Sequence, residues 1–155
     1  MQIFCDLDGV LVDFEGGFLR NFGFAHNSVS EGEMWQYIMS HDRHWHDLPM
    51  MHDGAVLWEF IKDKNPIILT GCPRTGYDAA VRGKREWCAK FLGPEVPVIT
   101  CRSKDKPQHM LDPGDILIDD LRKNQVRWEA ANGLFVLHTS AENSIKQLET
   151  IFEMI

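Results

Sequence analysis

Apolar positions alternate between short runs and helical spacing along the whole of the 155-residue chain. The short runs, most of them continuously apolar, predict five strands: 2–8, 66–70, 96–101, 115–119 and 134–138. The stretches with helical spacing predict five helices: 13–24, one beginning at 53, 77–92, 122–132 and 141–154. Buried strands that alternate with helices are typical of a parallel sheet covered on both faces. The pattern therefore predicts an α/β fold.

Residues 25–50 depart from this alternation, because they are rich in aromatic residues and histidines and show no clean strand pattern. An insert of this kind is expected to form a small lid, and we predict a helical cap over approximately residues 14–60. His41, His44 and His46 leave two interpretations open, a metal site or the commoner solvated loop histidines. An aromatic pair that sandwiches a flat substrate group is a stronger hypothesis, with plain packing of the lid as its alternative.

Net charge and composition limit the classes of partner. The formal net charge is −7, and hydrophobic residues make up 44% and charged residues 25% of the chain. These fractions indicate one ordinary globular domain, and the negative charge argues against binding to nucleic-acid polymers or anionic membranes. No stretch has the length of a membrane span, no signal peptide precedes the first strand, and the four cysteines show no CxxC spacing. We therefore expect a cytoplasmic protein with reduced cysteines.

The first predicted strand ends in two acids at a spacing of i, i+2. Asp6 and Asp8 would project to the same side of an extended chain, and Gly9 lets the backbone turn sharply after them. Two like charges at that distance repel each other unless a cation or a shared proton compensates them. The alternative is a strand that simply ends in an acidic turn.

Further polar residues stand where other predicted strands end. Thr70 closes the second strand, the loop 102–106 follows the third, and Asp119 and Asp120 close the fourth. The carboxyl ends of parallel strands meet at one edge of a sheet, where open α/β sheets bind their ligands. Several acids at one point suit Mg²⁺, and lysines beside them suggest a phosphate group. The sequence therefore predicts a site for a metal ion and a phosphate ester.

Two carboxylates in different surroundings can divide the work of phosphate ester hydrolysis. One acid would attack phosphorus to give an aspartyl-phosphate, which water then hydrolyses. The other acid would donate a proton to the departing alcohol and later accept one from water.

The segment Asp6-Leu7-Asp8-Gly9-Val10, then Thr70, a lysine and Asp119-Asp120, resembles the four motifs of the haloacid dehalogenase-like phosphatases. The motifs occur in the same order and span nearly the whole chain. The resemblance implies a Mg²⁺-dependent enzyme with a Rossmann-like parallel sheet, helices on both faces and a cap inserted after the first strand.

A closer resemblance within that superfamily is to the 5′(3′)-deoxyribonucleotidases. Residues 6–20 carry most of it, and Lys84-Arg85-Glu86-Trp87, Asp105-Lys106 and 117–120 are also similar. The resemblance implies Asp6 as nucleophile and Asp8 as acid/base. It further implies that Mg²⁺ is held by the Asp6 carboxylate, the Asp8 backbone carbonyl and Asp120, with Asp119 in support.

The same resemblance assigns the phosphate-binding residues. Thr70 and Lys106 are implied to bind the phosphate, with Lys104 as a competing candidate for the lysine role. Gly71 replaces the serine of that family, so its loop amide would remain and one hydroxyl is missing. Lys84 is implied to be a cation beside or behind the phosphate.

For the organic part of the substrate, the resemblance points to Arg74, which stands where the family has a basic residue near the substrate. Phe14 and Trp45 match aromatic positions that the family uses around the base and the sugar. The lid segment is shorter than in that family, which leaves the nucleotide specificity open while the core chemistry is retained.

We expect a phosphomonoester hydrolase that acts on a nucleoside monophosphate, as a monomer or a homodimer. A phosphatase for another small phosphate ester, such as a sugar phosphate, is the first alternative. A phospho-accepting receiver-type domain and an inactive binding protein are the two non-enzymatic alternatives. Both are disfavoured, since the paired acids open the chain and Asp6 and Asp8 are intact.

Overall fold

Strand β1 (Ile3–Cys5) is the middle strand of a five-stranded sheet in the computed structural model, which describes residues 1–155. The others are β2 (Ile67–Gly71), β3 (Val98–Cys101), β4 (Ile116–Asp119) and β5 (Leu134–Leu137). The order is β3-β2-β1-β4-β5, and all neighbouring strands are parallel. This confirms the predicted parallel α/β sheet. It also places the end of β1 between β2 and β4, where the strand order reverses and ligands bind in such sheets.

Six α-helices connect or flank the strands. They are α1 (Phe14–Phe22), α2 (Glu31–Met39), α3 (Gly54–Ile61), α4 (Tyr77–Phe91), α5 (Arg122–Ala130) and α6 (Ala141–Glu153). A 3₁₀ segment, Ser103–His109, follows β3. None of the helices is both long and apolar enough to cross a membrane.

Helix α2 lies in the stretch for which a helical cap was predicted but no individual helix was assigned. The Ser30 hydroxyl accepts a hydrogen bond from the Glu33 amide at 3.2 Å and donates one to the Glu33 carboxylate at 2.9 Å. This Ser-x-x-Glu arrangement is a helix-start signal that the sequence contains. The buried side chains of Met34 and Ile38, four residues apart, anchor the helix to the core.

Helices cover both faces of the sheet, as the strand pattern predicted. Ile3 and Cys5 point to a large apolar core that α3, α4 and α6 complete. Phe4 points to the opposite face, where the Trp128 ring of α5 packs edge-on against it at 5.5 Å between centroids. The alternation follows from strand geometry, in which successive side chains point to opposite faces. All four cysteines are buried and free.

The segment predicted as a cap, residues 14–60, contains α1, α2 and α3. Aromatic contacts join the first two helices, with the Phe22 and Tyr37 rings 5.7 Å apart. Helix α3 instead packs against α6. Asp53 stands at the N-cap of α3 but does not cap it, because its carboxylate accepts a hydrogen bond from the Ala141 amide of α6 at 2.7 Å. The division into cap and core remains a prediction.

Asp115, just before β4, is a buried carboxylate that holds the sheet edge together. It accepts backbone hydrogen bonds from Gln2 at 2.8 Å and from Leu111 and Asp112 at 2.9 Å each.

We expect Asp115→Ala to lower the free energy of unfolding by about 2–4 kcal/mol, because it leaves these amides without their acceptor. Urea denaturation would measure the loss. Asp112→Ala, which removes an exposed carboxylate from the same turn, should cost far less, and an equal cost would contradict this account.

Candidate active site

The turn after β1 presents Asp6 and Asp8. Gly9 has a φ of +81°, in the left-handed region, and its amide donates to the Val12 carbonyl at 2.9 Å. A Cβ at Gly9 would collide with the Asp120 carboxylate, so the turn packs directly against the end of β4. The predicted sharp turn is therefore present, and its close approach requires glycine.

Asp6, Asp119 and Asp120 form a cluster of acids at the ends of β1 and β4. Each offers one carboxylate oxygen, and these oxygens lie within 4.8 Å of one another. Asp119 is fully buried and already satisfied, because it accepts hydrogen bonds from the Leu121 amide and the Asn124 side chain, both at 2.9 Å. The carboxylates of Asp6 and Asp120 remain the freer oxygen donors of the cluster.

Lys106 is the cation inside this acid cluster. Its ammonium group lies 3.0 Å from Asp6 Oδ1 and 2.7 Å from Asp119 Oδ2, and only 2% of the residue is exposed. Burial opposes the charge on Lys106, but the two carboxylates outweigh it and hold its pKa above the ordinary value. The competing candidate, Lys104, is exposed and has no carboxylate partner.

Lys84, from α4, makes a second set of contacts below the turn. Its ammonium group donates to Asp8 Oδ2 at 2.8 Å, and to Thr70 Oγ1 and the Gly71 carbonyl at 2.9 Å each. It also lies 5.0 Å from the centroid of the Trp45 ring. Lys84 therefore contacts the turn after β1, the end of β2 and the cap segment. Burial opposes its charge, yet the neighbouring Asp8 raises the pKa of Lys84 above its ordinary value.

The acids outnumber the cations at the end of β1. Burial raises the pKa of Asp6 to about 8 against the effect of Lys106, and Asp119, Asp120 and Asp8 add to the rise. Burial and then Asp119 raise the pKa of Asp120 to about 6. Such shifts mean that the cluster accepts a further positive charge readily. Clustered carboxylate oxygens are the donor set that Mg²⁺ prefers, so Asp6, Asp119 and Asp120 fit a Mg²⁺ ion.

A cavity of about 1270 Å³ opens above these residues. The predicted site residues that line it are Asp6, Asp8, Phe14, Trp45, Gly71, Arg74, Lys106 and Asp120. Thr70 and Lys84, also predicted, are buried behind the wall and do not line it, and Asp119 lies below the floor. The volume exceeds the range of about 300–1000 Å³ that is usual for small-molecule pockets, so a nucleotide-sized ligand has room.

The aromatic residues of the cap pack against each other. The Phe14 and Trp45 ring centroids are 5.8 Å apart, and Trp35 stacks on Trp45 at 6.4 Å. These separations are those of contacting rings. A flat substrate group can therefore lie against this aromatic surface in the observed arrangement, but not between Phe14 and Trp45.

His41, His44 and His46 do not come together as a metal site, and the acid cluster is the one group of potential ligands in the chain. His44 is also not a solvated loop histidine, because it is fully buried among aromatic rings. Its Nδ1 lies 3.2 Å from the Asn21 side-chain amide, while its Nε2 has no partner. Burial, with a smaller effect of His41, lowers the pKa of His44 to about 4.

Several cavity residues were not found by the sequence analysis. They are chiefly Trp35, Arg102, Lys123, Asn124 and Arg127. The helix-start signal at Ser30 could have placed Trp35 on a helix. Asn124, in the first turn of α5, donates to Asp119 at the end of β4. No signal in the sequence brings Arg102 beside Lys123 and Arg127.

Neither a protein-family model nor a curated protein matches this chain. Among solved structures, a hydrolase from Streptococcus pneumoniae TIGR4 is similar over 96% of this chain and 97% of that chain, with a TM-score of 0.58 and 16% identity. A hydrolase from Pseudomonas syringae has a TM-score of 0.49 and 14% identity, over 97% and 89%. The first likeness shows a shared fold, which agrees with the predicted fold class. Membership of the 5′(3′)-deoxyribonucleotidases remains a prediction.

The neutral state of His44 makes the stability of the protein depend on pH. The folded-state pKa of about 4 lies below the ordinary 6.5, so the unfolded chain binds a proton that the folded chain does not as the pH falls between these values. We expect protonation linked to His44 to lower the free energy of unfolding by up to about 3 kcal/mol as the pH falls from 6.5 to about 4.

His44→Phe should remove this loss, because phenylalanine fits the aromatic surroundings and cannot be protonated. Urea denaturation of both proteins at a series of pH values would give the difference. His52→Asn, which removes an exposed histidine, should leave the pH dependence as in the wild type. A His44→Phe protein as acid-sensitive as the wild type would refute the explanation.

Proposed function

We propose that this protein is a Mg²⁺-dependent phosphomonoester hydrolase that acts through an aspartyl-phosphate on Asp6, with nucleoside monophosphates as its substrates. The observation that carries the proposal is the position of Asp6 on the cavity floor, against Lys106 and within the acid cluster. A carboxylate at this place is accessible to a ligand on one side and held by a buried cation on the other.

In this proposal Asp6 and Asp120 hold the metal ion with their carboxylates, the Asp8 backbone carbonyl contributes, and Asp119 supports them. When bound, Mg²⁺ would neutralise phosphate oxygens and orient phosphorus towards Asp6. Asp119 holds Lys106 and Asn124 in position, since its oxygens already accept hydrogen bonds from both side chains and from the Leu121 amide.

Asp6 forms the new bond in the first step. One of its carboxylate oxygens attacks phosphorus, the ester P–O bond breaks, and the organic part leaves as an alcohol. Lys106, 3.0 Å from Asp6 Oδ1, then lies close enough to bind a phosphate oxygen through its ammonium group. In the second step water attacks phosphorus and releases inorganic phosphate, which regenerates the carboxylate.

Asp8 is the proposed acid/base. It donates the proton that the departing alcohol oxygen needs and later accepts a proton from the attacking water. Lys84 orients the Asp8 carboxylate through the 2.8 Å contact and ties it to Thr70 and Gly71. Thr70, buried behind the cavity wall, accepts a hydrogen bond from Lys84 and so helps to hold the lysine beside Asp8.

The surface of the cap supports a nucleoside as the organic part of the substrate. Phe14, Trp35 and Trp45 line the cavity together and offer an aromatic surface for a base. Arg74 lines the same cavity and would contact the polar part of the substrate. Sugar phosphates would use the same reaction but leave this aromatic surface without a partner.

Phosphate release from deoxy- and ribonucleoside monophosphates and from sugar phosphates tests the proposal directly. We expect wild-type protein with Mg²⁺ to hydrolyse the nucleotides, chelation of the metal to abolish turnover, and Asp6→Asn to lower kcat by about a thousandfold or more. Asp63→Asn, an exposed acid outside the cavity, is the matched control. Equal activity of Asp6→Asn and wild type would sink the mechanism, and turnover of sugar phosphates alone would sink the substrate assignment.

The two candidate lysines can be separated in the same assay. We expect kcat/KM for a monophosphate to be about a hundred times lower in Lys106→Gln than in Lys104→Gln. The reason is that only Lys106 contacts Asp6. Circular dichroism of each variant would check that the fold is kept, since Lys106 is buried among acids. A larger loss in Lys104→Gln would transfer the phosphate-binding role to that residue.

A further inference from the structure

Four cations line the cavity beyond the proposed reaction site. They are Arg102, Lys104, Lys123 and Arg127, here called the basic cluster. Two come from the start of the 3₁₀ segment after β3, and two from α5. None of them forms an ion pair with a carboxylate. Four unpaired cations that line one cavity are a local exception in a chain with a net charge of −7.

A hydrogen bond between Ser103 and Asn124 brings the basic cluster together. The Ser103 hydroxyl donates to Asn124 Oδ1 at 3.1 Å, and Arg127 donates to the same oxygen at 3.4 Å. Arg102 and Lys104 flank Ser103 in the chain, while Lys123 precedes Asn124. The four side chains therefore belong to one locality, although the sequence separates the two pairs.

The arrangement is unfavourable in the free protein. Lys123 and Arg127 are a like-charge pair at i, i+4 on α5, which lowers helix stability. The first turn of α5 itself contains no acid, and the one carboxylate bound at its start, Asp119, is already shared with Lys106. An anion bound at the basic cluster would relieve the repulsion and complement the positive end of the helix dipole.

The basic cluster lies close to the proposed nucleophile without being part of its contacts. Asn124 donates to Asp119 at 2.9 Å, Asp119 contacts Lys106 at 2.7 Å, and Lys106 contacts Asp6 at 3.0 Å. The phosphate that reacts at Asp6 has Lys106 as its own cation. The basic cluster is thus left for a different negative group of the same bound molecule.

We propose that the substrates of this site carry a second anionic group, which the basic cluster binds while the reacting phosphate lies at Asp6. The inference rests on the proposed function and narrows its substrate class to phosphomonoesters with a second phosphate, such as nucleoside 3′,5′-bisphosphates. The base lies against the aromatic surface of the cap segment, and the second phosphate lies against the basic cluster.

The alternative role for these cations is electrostatic steering, in which they attract any anion to the cavity without binding a particular group. Steering raises the association rate of every phosphate ester. A bound second phosphate, in contrast, favours bisphosphates selectively, because only they can occupy both places.

The test compares 2′-deoxyadenosine 3′,5′-bisphosphate with the 3′- and 5′-monophosphates of the same nucleoside. We expect wild-type kcat/KM to be about tenfold higher for the bisphosphate, in line with one or two partly exposed charge-assisted hydrogen bonds. The double variant Lys123→Gln/Arg127→Gln should lose this preference and keep its monophosphate activity within about threefold. Arg122→Gln, an exposed neighbour on α5 that does not line the cavity, is the matched control and should behave as wild type.

Calorimetric binding of the same three compounds to Asp6→Asn gives a readout independent of turnover, with the same tenfold preference expected. No preference for the bisphosphate, or equal losses for all three compounds in the double variant, would overturn the inference and leave the proposed function standing. If the wild type hydrolyses none of the compounds, the proposed function fails, and the binding comparison alone then decides whether the second anion site exists.

Discussion

Lys106, buried between Asp6 and Asp119, is the interaction on which the arrangement of the site depends. Carboxylates that leave water need a partner of opposite charge, since an unpaired buried charge costs several kcal/mol. The sheet places the ends of β1 and β4 next to each other, which forces their acids together. The 3₁₀ segment after β3 must therefore cross the sheet edge to bring its lysine back to β1 and β4. This crossing also carries Ser103 and its neighbours to α5.

Lys84 joins the cap segment to the sheet in a similar way. It satisfies Asp8 and two groups at the end of β2, and the Trp45 ring lies over its ammonium group. Trp87, one turn further along α4, donates to the Leu48 carbonyl at 2.8 Å. One helix, α4, thus contacts both the cap segment and the Asp8 carboxylate.

The residues that line the cavity differ in chemical character. The cap segment contributes aromatic rings together with Glu15 and Glu31, whereas the 3₁₀ segment after β3 and α5 contribute the basic cluster. A ligand with a flat apolar part and more than one negative charge matches both groups of residues. Packing within the cap segment includes a buried histidine, His44, whose pKa is lowered by burial to about 4, so its protonation in acid opposes this packing.

The sequence by itself determined the parallel α/β sheet, its five strands and five of the six helices. Those features follow from local periodicity, and periodicity is visible in a single chain. It also predicted that Asp6, Asp8, Thr70, the loop 102–106 and the Asp119-Asp120 pair would meet, because parallel strands present their carboxyl ends at one edge. It missed α2, although the Ser-x-x-Glu start signal was present.

Only the tertiary structure decided which lysine of the loop after β3 reaches the acids. Lys104 and Lys106 are two residues apart, and the phase of the 3₁₀ turn directs one inwards and leaves the other exposed. The tertiary structure likewise places Thr70 and Lys84 behind the cavity wall. It also brings the Phe14 ring into contact with the Trp45 ring. The basic cluster is formed by segments about twenty residues apart that share no local pattern. Their meeting depends on how the chain packs across the sheet edge, which residue spacing alone does not encode.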